Sequence, residues 1–319
     1  MIEQTSQVTV AIIHHGYRDY LKSVLLHARE NGNFTCLIGS EEKLIPLCNE
    51  FYLDSSIDLP KYVEFEKKYI HLSHNPEAFE LLCFKRFYLL QYLVHQKDLS
   101  HIWMIDSDVL VMENLFEFTE NYLLKNHFAA SLSTRVQGDM ELDSSTHCSF
   151  WTKAALDEFV LFLDHLYDSE FTPILLNKFD YHNKNHLDGG ICDMTALYLW
   201  QKNTPLKVFN SANSHLNGLP FIDHNVNLER NYADNEFRLA PKIHIKQIEH
   251  QKIPQKNLKV KKIAVRSRTN QVYPVLALHF SGNSKKYLPL FCQTYEIHSL
   301  SYLTYQFYKY VFKIKQLLQ

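Results

Sequence analysis

The hydrophobic positions near the N-terminus follow two different periods. Residues 8–13 (VTVAII) form a continuous, mostly β-branched apolar run, which is the pattern of a strand buried on both faces of a parallel sheet. From Tyr20 to Ala28 the apolar residues recur at helical spacing, and Gly32 ends that pattern. Residues 34–39 (FTCLIG) have the pattern of a second strand. The chain therefore opens with a predicted β-α-β unit.

The same two periods predict further elements. Helical spacing occurs from about residue 76 to 96, from 151 to 167 and from 191 to 200, whereas strand-like runs occupy 101–105, 109–111, 259–265 and 272–280. The segment 201–258 is polar and irregular, so few elements are predicted there. We expect an α/β protein whose mixed, mainly parallel central sheet is flanked by helices.

Composition and charge exclude several classes of protein. The 319 residues are 46% hydrophobic, which is enough for a sizeable core, and six scattered cysteines without a C-x-x-C pair predict reduced thiols. A formal charge of −2 excludes a global basic field, so no nucleic-acid partner is expected. The chain has neither the pattern of a signal peptide nor an apolar run of about 18 residues, and we expect a cytoplasmic protein.

Two carboxylates stand at the end of a predicted strand. Asp106, Ser107 and Asp108 directly follow the apolar run HIWMI. In open α/β sheets ligands bind beyond the carboxyl ends of strands, and two carboxylates so close can offer oxygens to one hard cation. An Asp-x-Asp pattern alone is weak evidence, because a capped, solvated turn has the same sequence. The surrounding sequence must decide between the two.

A second group of chemical residues follows the strand-like run VYPVLALHF. His279 could offer a ring nitrogen to a metal, Gly282 would let the backbone approach a phosphate, and Lys285 could add a positive charge. Taken singly, each residue is more often structural. Together they favour a site that binds a metal ion and a phosphate.

With these motifs the sequence resembles a GT-A glycosyltransferase, with a Rossmann-like fold. It is most similar to the group that includes glycogenin and the bacterial lipooligosaccharide galactosyltransferases. WMIDSDVLV matches that group's strand and Asp-x-Asp, and His279, Gly282 and Lys285 match its late His-x-x-Gly-x-x-Lys. Related bacterial glycosyltransferases also have an RF-x-LL helix before a DSDVL strand, as in CFKRFYLLQYL here.

The resemblance implies a set of ligands and partners. It implies Mn²⁺, or Mg²⁺, bound by Asp106, Asp108 and His279, with Lys285 on the diphosphate of a nucleotide-sugar donor and Arg86 near that donor. The implied acceptor is a saccharide, a lipid-linked sugar or another hydroxyl compound, and the implied outcome is retention of configuration.

Two looser matches concern the transferred sugar. Asp188, Gly189 and Gly190 resemble the family's Asn-x-Gly donor-sugar loop. Asp223, His224 and Asn225 are similar to its Asp-Gln-Asp, near the anomeric carbon or the acceptor. An inverting enzyme would instead need a carboxylate base, for which the sequence leaves Asp188, Asp193 and Asp223 open, with Asp188 favoured by its glycine-rich loop.

The loop after the first strand is a candidate for contacts with the nucleotide. His14, His15, Gly16 and Tyr17 stand where a ribose and base could lie against the loop, and an aromatic ring could stack on the base. A simple turn explains these residues equally well. Position argues for this assignment more than chemistry does.

The C-terminal residues have a distinct composition. Residues 302–319 combine large aromatic side chains with three lysines and contain no acidic residue. This composition suits an interfacial helix at an anionic membrane, although a helix packed on the catalytic domain is an alternative. We therefore divide the chain into a catalytic domain, 1–290, and a helical, basic and aromatic tail, 291–319.

Two rival functions belong to other classes. A sugar-1-phosphate nucleotidylyltransferase shares nucleotide chemistry, but its first loop is normally rich in glycine, and HHGYRDY is not. A non-catalytic carbohydrate-binding or metal-binding protein is the second rival. The complete set of His279, Gly282 and Lys285 argues against it.

Overall fold

The computed structural model describes residues 7–134, 138, 140–168, 170–212, 214, 218–222, 226, 248–251, 262–266 and 272–294. The strands are β1 (Thr9–His14), β2 (Phe34–Gly39), β3 (Glu50–Leu53), β4 (His101–Ile105), β5 (Val109–Val111), β6 (Ala130–Ser133), β7 (Ser145–Thr152), β8 (Val208–Asn210), β9 (Phe221–Ile222), β10 (Ile248–Gln251), β11 (Lys262–Arg266) and β12 (Val272–His279).

The helices are α1 (Asp19–Glu30), α2 (Pro60–Lys68), α3 (Glu77–Gln96), α4 (Phe116–Phe118, continued by the π-helical segment Thr119–Leu124), α5 (Lys153–His165), α6 (Thr172–Lys184), α7 (Asp193–Asn203) and α8 (Leu288–Thr294). Short 3₁₀ turns occupy Glu42–Leu47, Asp54–Ser56 and Gly282–Tyr287. Among the described residues, no helix is both long and apolar enough to cross a membrane.

A seven-stranded sheet in the order β3-β2-β1-β4-β7-β6-β8 forms the centre of the described fold. The β3-β2, β2-β1, β1-β4 and β6-β8 pairs are parallel, and only the two pairs made by β7 are antiparallel. A smaller, five-stranded sheet has the order β10-β11-β12-β5, with β9 paired to β12. The predicted mixed, mainly parallel α/β architecture is confirmed.

The residues of β1 show why this strand lies at the centre of the sheet. Val10 and Ile12 pack with Leu25 of α1 on one face, whereas Ala11 packs with Phe87 of α3 on the other. Covering both faces requires an apolar residue at every position, which is why the strand reads as a continuous hydrophobic run. Parallel pairing of β1 with β4 places the carboxyl ends of the two strands side by side.

Strand β7 was missed in the sequence, where helical spacing was assigned from residue 151. The strand runs antiparallel to β4 and continues through Thr152, and α5 begins only at Lys153. Seven of its eight positions are buried, although Ser145, Thr146, His147 and Ser149 are polar. Because a buried strand usually shows an apolar run, these polar side chains kept the sequence pattern from predicting a strand here.

The end of the described chain crosses the predicted domain boundary. Helix α8 spans Leu288–Thr294, and its Phe291 and Cys292 are buried in the core that includes Leu25 of α1. Residues 302–319 lie outside the described residues. The division into 1–290 and 291–319 therefore stays a prediction.

Candidate functional site

Three backbone hydrogen bonds fix the turn after β4: one within the turn, one to β7 and one to the residue after β12. The amide of Asp106 donates to the carbonyl of His147 at 2.8 Å, and the amide of Val109 donates to the carbonyl of Asp106 at 3.1 Å. The carbonyl of Asp108 accepts from the amide of Phe280 at 2.9 Å. Both carboxylates therefore project from a backbone that neighbouring strands fix.

Pairing of β5 with β12 brings the two sequence motifs together. Val109 lies opposite His279 in this antiparallel ladder, so the end of β12 meets the beginning of β5. One ligand atom each from Asp106, Asp108 and His279 lie within 4.8 Å of one another. Two carboxylates and an imidazole form a donor set that suits Mn²⁺, and with water ligands Mg²⁺, so the residues fit the cation that the resemblance implies.

Asp108 is the most enclosed of these residues. Its Oδ1 lies 3.4 Å from Nε2 of His279 and its Oδ2 lies 3.0 Å from Nζ of Lys285. Burial by itself raises the pKa of Asp108, but the contact with His279 and the charge of Lys285 outweigh it and hold the pKa below its ordinary range. Asp108 is therefore an ionised carboxylate at neutral pH.

Arg86 of α3 links the site to the beginning of α7. Its Nη1 donates to Oδ1 of Asp106 at 2.5 Å, and its Nη2 donates to Oδ2 of Asp193 at 2.8 Å. The guanidinium thus orients the Asp106 carboxylate, a candidate ligand, and offsets the charge of the Asp193 carboxylate. Asp193, which the sequence left open as a base, is engaged in this ion pair.

These groups line a cavity of about 530 Å³ at the carboxyl edge of the main sheet. Its wall is formed by β1 and β2, by the N-terminal half of α3, by the turn after β4, by the starts of β7 and α7, and by the end of β12 with the turn that follows it. The polar residues of the wall are His14, His15, Asp54, Asn75, Glu80, Lys85, Arg86, Asp106, Ser107, Asp108, Ser145, Thr146, Asp193, His279, Ser281 and Lys285. A volume of this size accommodates a ligand as large as a small cofactor.

One residue of the predicted nucleotide loop after β1 lines the cavity. His15 lines the cavity, and its Nδ1 lies 3.0 Å from the carboxylate of Asp54. Gly16 turns the chain at a φ of 80°, and neither it nor Tyr17 lines the cavity. The ring of Tyr17 instead lies under the ammonium of Lys43, 3.9 Å from the ring centre. Stacking of Tyr17 on a base stays a prediction.

The Asp188-Gly189-Gly190 loop lies beside the cavity without lining it. Asp188 is exposed, and Gly190 forms an isolated bridge with Ser73. A Cβ atom on Gly190 would meet the carbonyl oxygen of Leu72 at only 2.4 Å. Close packing of two backbones therefore explains Gly190, while the proposed contact of this loop with the sugar stays a prediction.

The last predicted residues divide into three groups. Ser107 lines the cavity. Gly282 does not line the cavity. It has a φ of 58° and is the first residue of the 3₁₀ turn Gly282–Tyr287, which contains Lys285, the partner of Asp108. Asp223 and His224 lie outside the described residues.

Two further polar residues of the wall are His14 and Glu80. Nε2 of His14 is a buried nitrogen with no hydrogen-bond partner among the described residues, and burial together with the charge of Lys285 lowers the pKa of His14 to about 4. The buried carboxylate of Glu80 accepts hydrogen bonds from Ser73 at 2.7 Å and Asn75 at 2.8 Å. The position of His14 at a strand end had marked it as a candidate, whereas no pattern in the sequence singled out Glu80.

No family model matches the sequence, and no curated protein does. Among solved structures, the chain is similar to mouse xyloside xylosyltransferase 1, at 14% identity over 65% of this chain and 86% of that one, with a TM-score of 0.44. It is similar to the galactosyltransferase LgtC, solved with donor and acceptor sugar analogues, at 12% identity over 86% and 87%, with a TM-score of 0.41.

A third similar structure is a glycosyltransferase involved in glycosylation of the major capsid of PBCV-1. It has 13% identity over 88% of this chain and 99% of that one, with a TM-score of 0.40. All three are named as enzymes that transfer a sugar. Identities of 12–14% with TM-scores of 0.40–0.44 assign neither a family nor an activity, so a function has to be inferred from the site itself.

Proposed function

We propose that this protein is a metal-dependent glycosyltransferase that moves a sugar from a nucleoside-diphosphate donor to a hydroxyl acceptor. One observation carries the proposal: Asp106, Asp108 and His279 converge in a cavity of about 530 Å³, with Lys285 in contact with Asp108. This arrangement joins a donor set for a hard cation to a positive charge suited to a phosphate.

The chemistry follows from the charges that these residues present. A divalent cation held by Asp106, Asp108 and His279 would neutralise the diphosphate and favour its departure. Lys285 is partly exposed at the same cavity and can contact a phosphate oxygen directly. Positioning and electrostatics then supply most of the catalysis, since the diphosphate leaves readily once its charge is neutralised.

The stereochemical outcome and the acceptor are finer parts of the proposal. We infer retention of configuration and a saccharide or lipid-linked acceptor from the resemblance to GT-A glycosyltransferases. Asp193 is engaged by Arg86 in a hydrogen bond of 2.8 Å, and Asp188 lies outside the cavity wall. Both observations agree with retention. The coupling constant of the anomeric proton in the NMR spectrum of the product shows whether the configuration is retained. An inverted linkage would contradict the proposed retention.

Membrane contact through the tail is a separate part of the proposal and rests on sequence. The aromatic and basic composition of 302–319 suits binding to an anionic surface. Deletion of these residues should abolish cosedimentation with vesicles that contain an anionic lipid. Equal cosedimentation of the full-length and shortened chains contradicts membrane contact and leaves the catalytic proposal intact.

A donor screen tests the main proposal. The protein is incubated with Mn²⁺ and a panel of nucleotide sugars, and release of nucleoside diphosphate is measured beside an Asp106→Asn/Asp108→Asn double variant. We expect release with at least one donor by the wild type and loss of release in the variant. Formation of sugar phosphate and nucleoside triphosphate from donor and pyrophosphate would favour the nucleotidylyltransferase. No release, together with no nucleotide binding by calorimetry, contradicts the proposal.

A further inference from the structure

Two histidine rings lie face to face behind the candidate metal site. The rings of His147 and His279 have centroids 4.6 Å apart and planes inclined by only 7°, which is the geometry of an offset stack. His279 lines the cavity, whereas His147 is 1% exposed and does not line it. One ring therefore supports the other from inside the protein.

His147 also contacts a second candidate ligand through its backbone. Its carbonyl accepts the amide of Asp106 at 2.8 Å, in continuation of the ladder between β4 and β7. Its own ring is oriented by a hydrogen bond between Nδ1 and Oγ of Ser145, 2.9 Å long. A single residue thus touches two of the three candidate ligands.

The contact constrains a torsion that the backbone leaves free. Pairing of β12 with β5 fixes the main chain of His279, but rotation of an imidazole about its last torsion is broad. A flat ring against one face of His279 restricts that rotation and keeps Nε2 directed toward Asp108, 3.4 Å away. Partners behind a metal ligand commonly change metal affinity by about 10- to 100-fold.

We propose that His147 is a positioning residue for the cation site, acting through the face of its ring on His279. This inference rests on the proposed function, because it concerns the cation that the proposed enzyme binds. The flat ring surface carries the effect, and the ring nitrogens of His147 do not. A residue with another flat ring can therefore replace it, and an aliphatic residue of similar size cannot.

Two matched variants separate ring shape from simple filling of space. Both His147→Phe and His147→Leu fill the buried position and both lose the hydrogen bond to Ser145, but only Phe offers a flat face. Mn²⁺ alone is titrated into each protein, and the free ion is measured by electron paramagnetic resonance. We expect the Kd of His147→Phe to stay within about threefold of wild type and that of His147→Leu to rise about tenfold.

A second comparison tests whether the effect passes through His279. In a His279→Ala background, the change from His147 to Leu should have no further effect on the Kd for Mn²⁺, because the residue it positions is gone. Circular dichroism and thermal midpoints establish that each variant is folded.

Several outcomes overturn the inference. A Kd for Mn²⁺ of His147→Leu within twofold of wild type would overturn it. An equal rise in Kd on adding His147→Leu to the His279→Ala variant would also overturn it. A tenfold loss in His147→Phe contradicts it as well, and this variant suffices if the Leu variant does not fold. No uptake of Mn²⁺ by the wild type overturns both this inference and the metal-dependent function. Uptake that is insensitive to His147 overturns this inference alone.

Discussion

The ammonium nitrogen of Lys285 lies 3.0 Å from Oδ2 of Asp108, a carboxylate whose side chain is only 5% exposed. The lysine is itself 39% exposed, so it reaches from the cavity to a buried charge. Burial alone would lower the pKa of Lys285, but Asp108 raises it above the ordinary value. Lys285 is thus a permanent positive charge beside the candidate cation site. It can attract a phosphate there, and it competes with the cation for the carboxylate of Asp108.

Replacing Lys285 by Met should affect two ligands in different ways. Binding of a nucleoside diphosphate in the presence of Mn²⁺ should weaken by about tenfold or more, because a charge-assisted hydrogen bond is lost. Binding of Mn²⁺ alone should stay equal or become tighter, since Asp108 loses a competing cation. Calorimetry with UDP, GDP, ADP and CDP measures the first effect, and titration of Mn²⁺ measures the second.

The neighbouring Lys286 provides the matched control. It is exposed and does not line the cavity, so Lys286→Met should bind both ligands as the wild type does. Unchanged binding of every nucleotide by Lys285→Met would remove this residue from the phosphate site.

His14 should make stability depend on pH. Its folded pKa is about 4, because burial and the nearby Lys285 disfavour the charged ring, whereas an unperturbed histidine titrates at 6.5. Between these values the unfolded chain binds more protons than the folded one, so stability is lost as the pH falls from 6.5 toward 4. From pH 7.5 to pH 5 the loss amounts to about 2 kcal/mol.

The His14→Gln variant should lack the part of the pH-dependent stability that comes from titration of His14. Urea unfolding at pH 7.5 and pH 5 should show a smaller loss of stability in the variant than in the wild type, by about 2 kcal/mol at most. Identical pH dependence of His14→Gln and wild type contradicts a neutral, buried His14.

Gly190 and Gly189 should respond differently to the same substitution. A Cβ on Gly190, which has a φ of 149°, would meet the Leu72 carbonyl oxygen at 2.4 Å and Cα of Ser73 at 2.7 Å. A Cβ on Gly189, which has a φ of 79°, would have no atom outside its own chain neighbours within 4 Å. Gly190→Ala should therefore destabilise the protein by about 2 to 4 kcal/mol, and Gly189→Ala by about 1 kcal/mol.

Urea unfolding of the two alanine variants gives this comparison directly. Each variant serves as the control of the other, because the residues are adjacent and the added atom is the same. Equal destabilisation of the two would show that Gly190 does not depend on close packing against residues 72 and 73.

The sequence predicted the first half of the fold better than the second, for a physical reason. Strands β1, β2 and β4 are apolar at nearly every position because helices cover both faces of the sheet, so their pattern is clear. Strand β7 carries polar side chains at the edge of the site, where Ser145 and Thr146 line the cavity. Its pattern therefore resembled that of a loop.

The convergence of the site residues was predicted from strand ends, but its cause was not. Asp108 and His279 meet because β5 pairs with β12, a contact between distant segments that local periodicity does not encode. The ion pairs of Arg86 with Asp106 and Asp193 could likewise not be predicted from the sequence, since they depend on how α3 and α7 pack. Spacing within a motif predicts chemistry, whereas partners across the fold require the structure.

The most direct test of the cation site is calorimetry of nucleoside-diphosphate binding with and without Mn²⁺. The wild type should bind at least about tenfold more tightly when Mn²⁺ is present, and Asp106→Asn and Asp108→Asn should each lose most of that gain. Equal affinity of the wild type and both variants in the presence of Mn²⁺ would contradict the assignment of Asp106, Asp108 and His279 as the metal ligands.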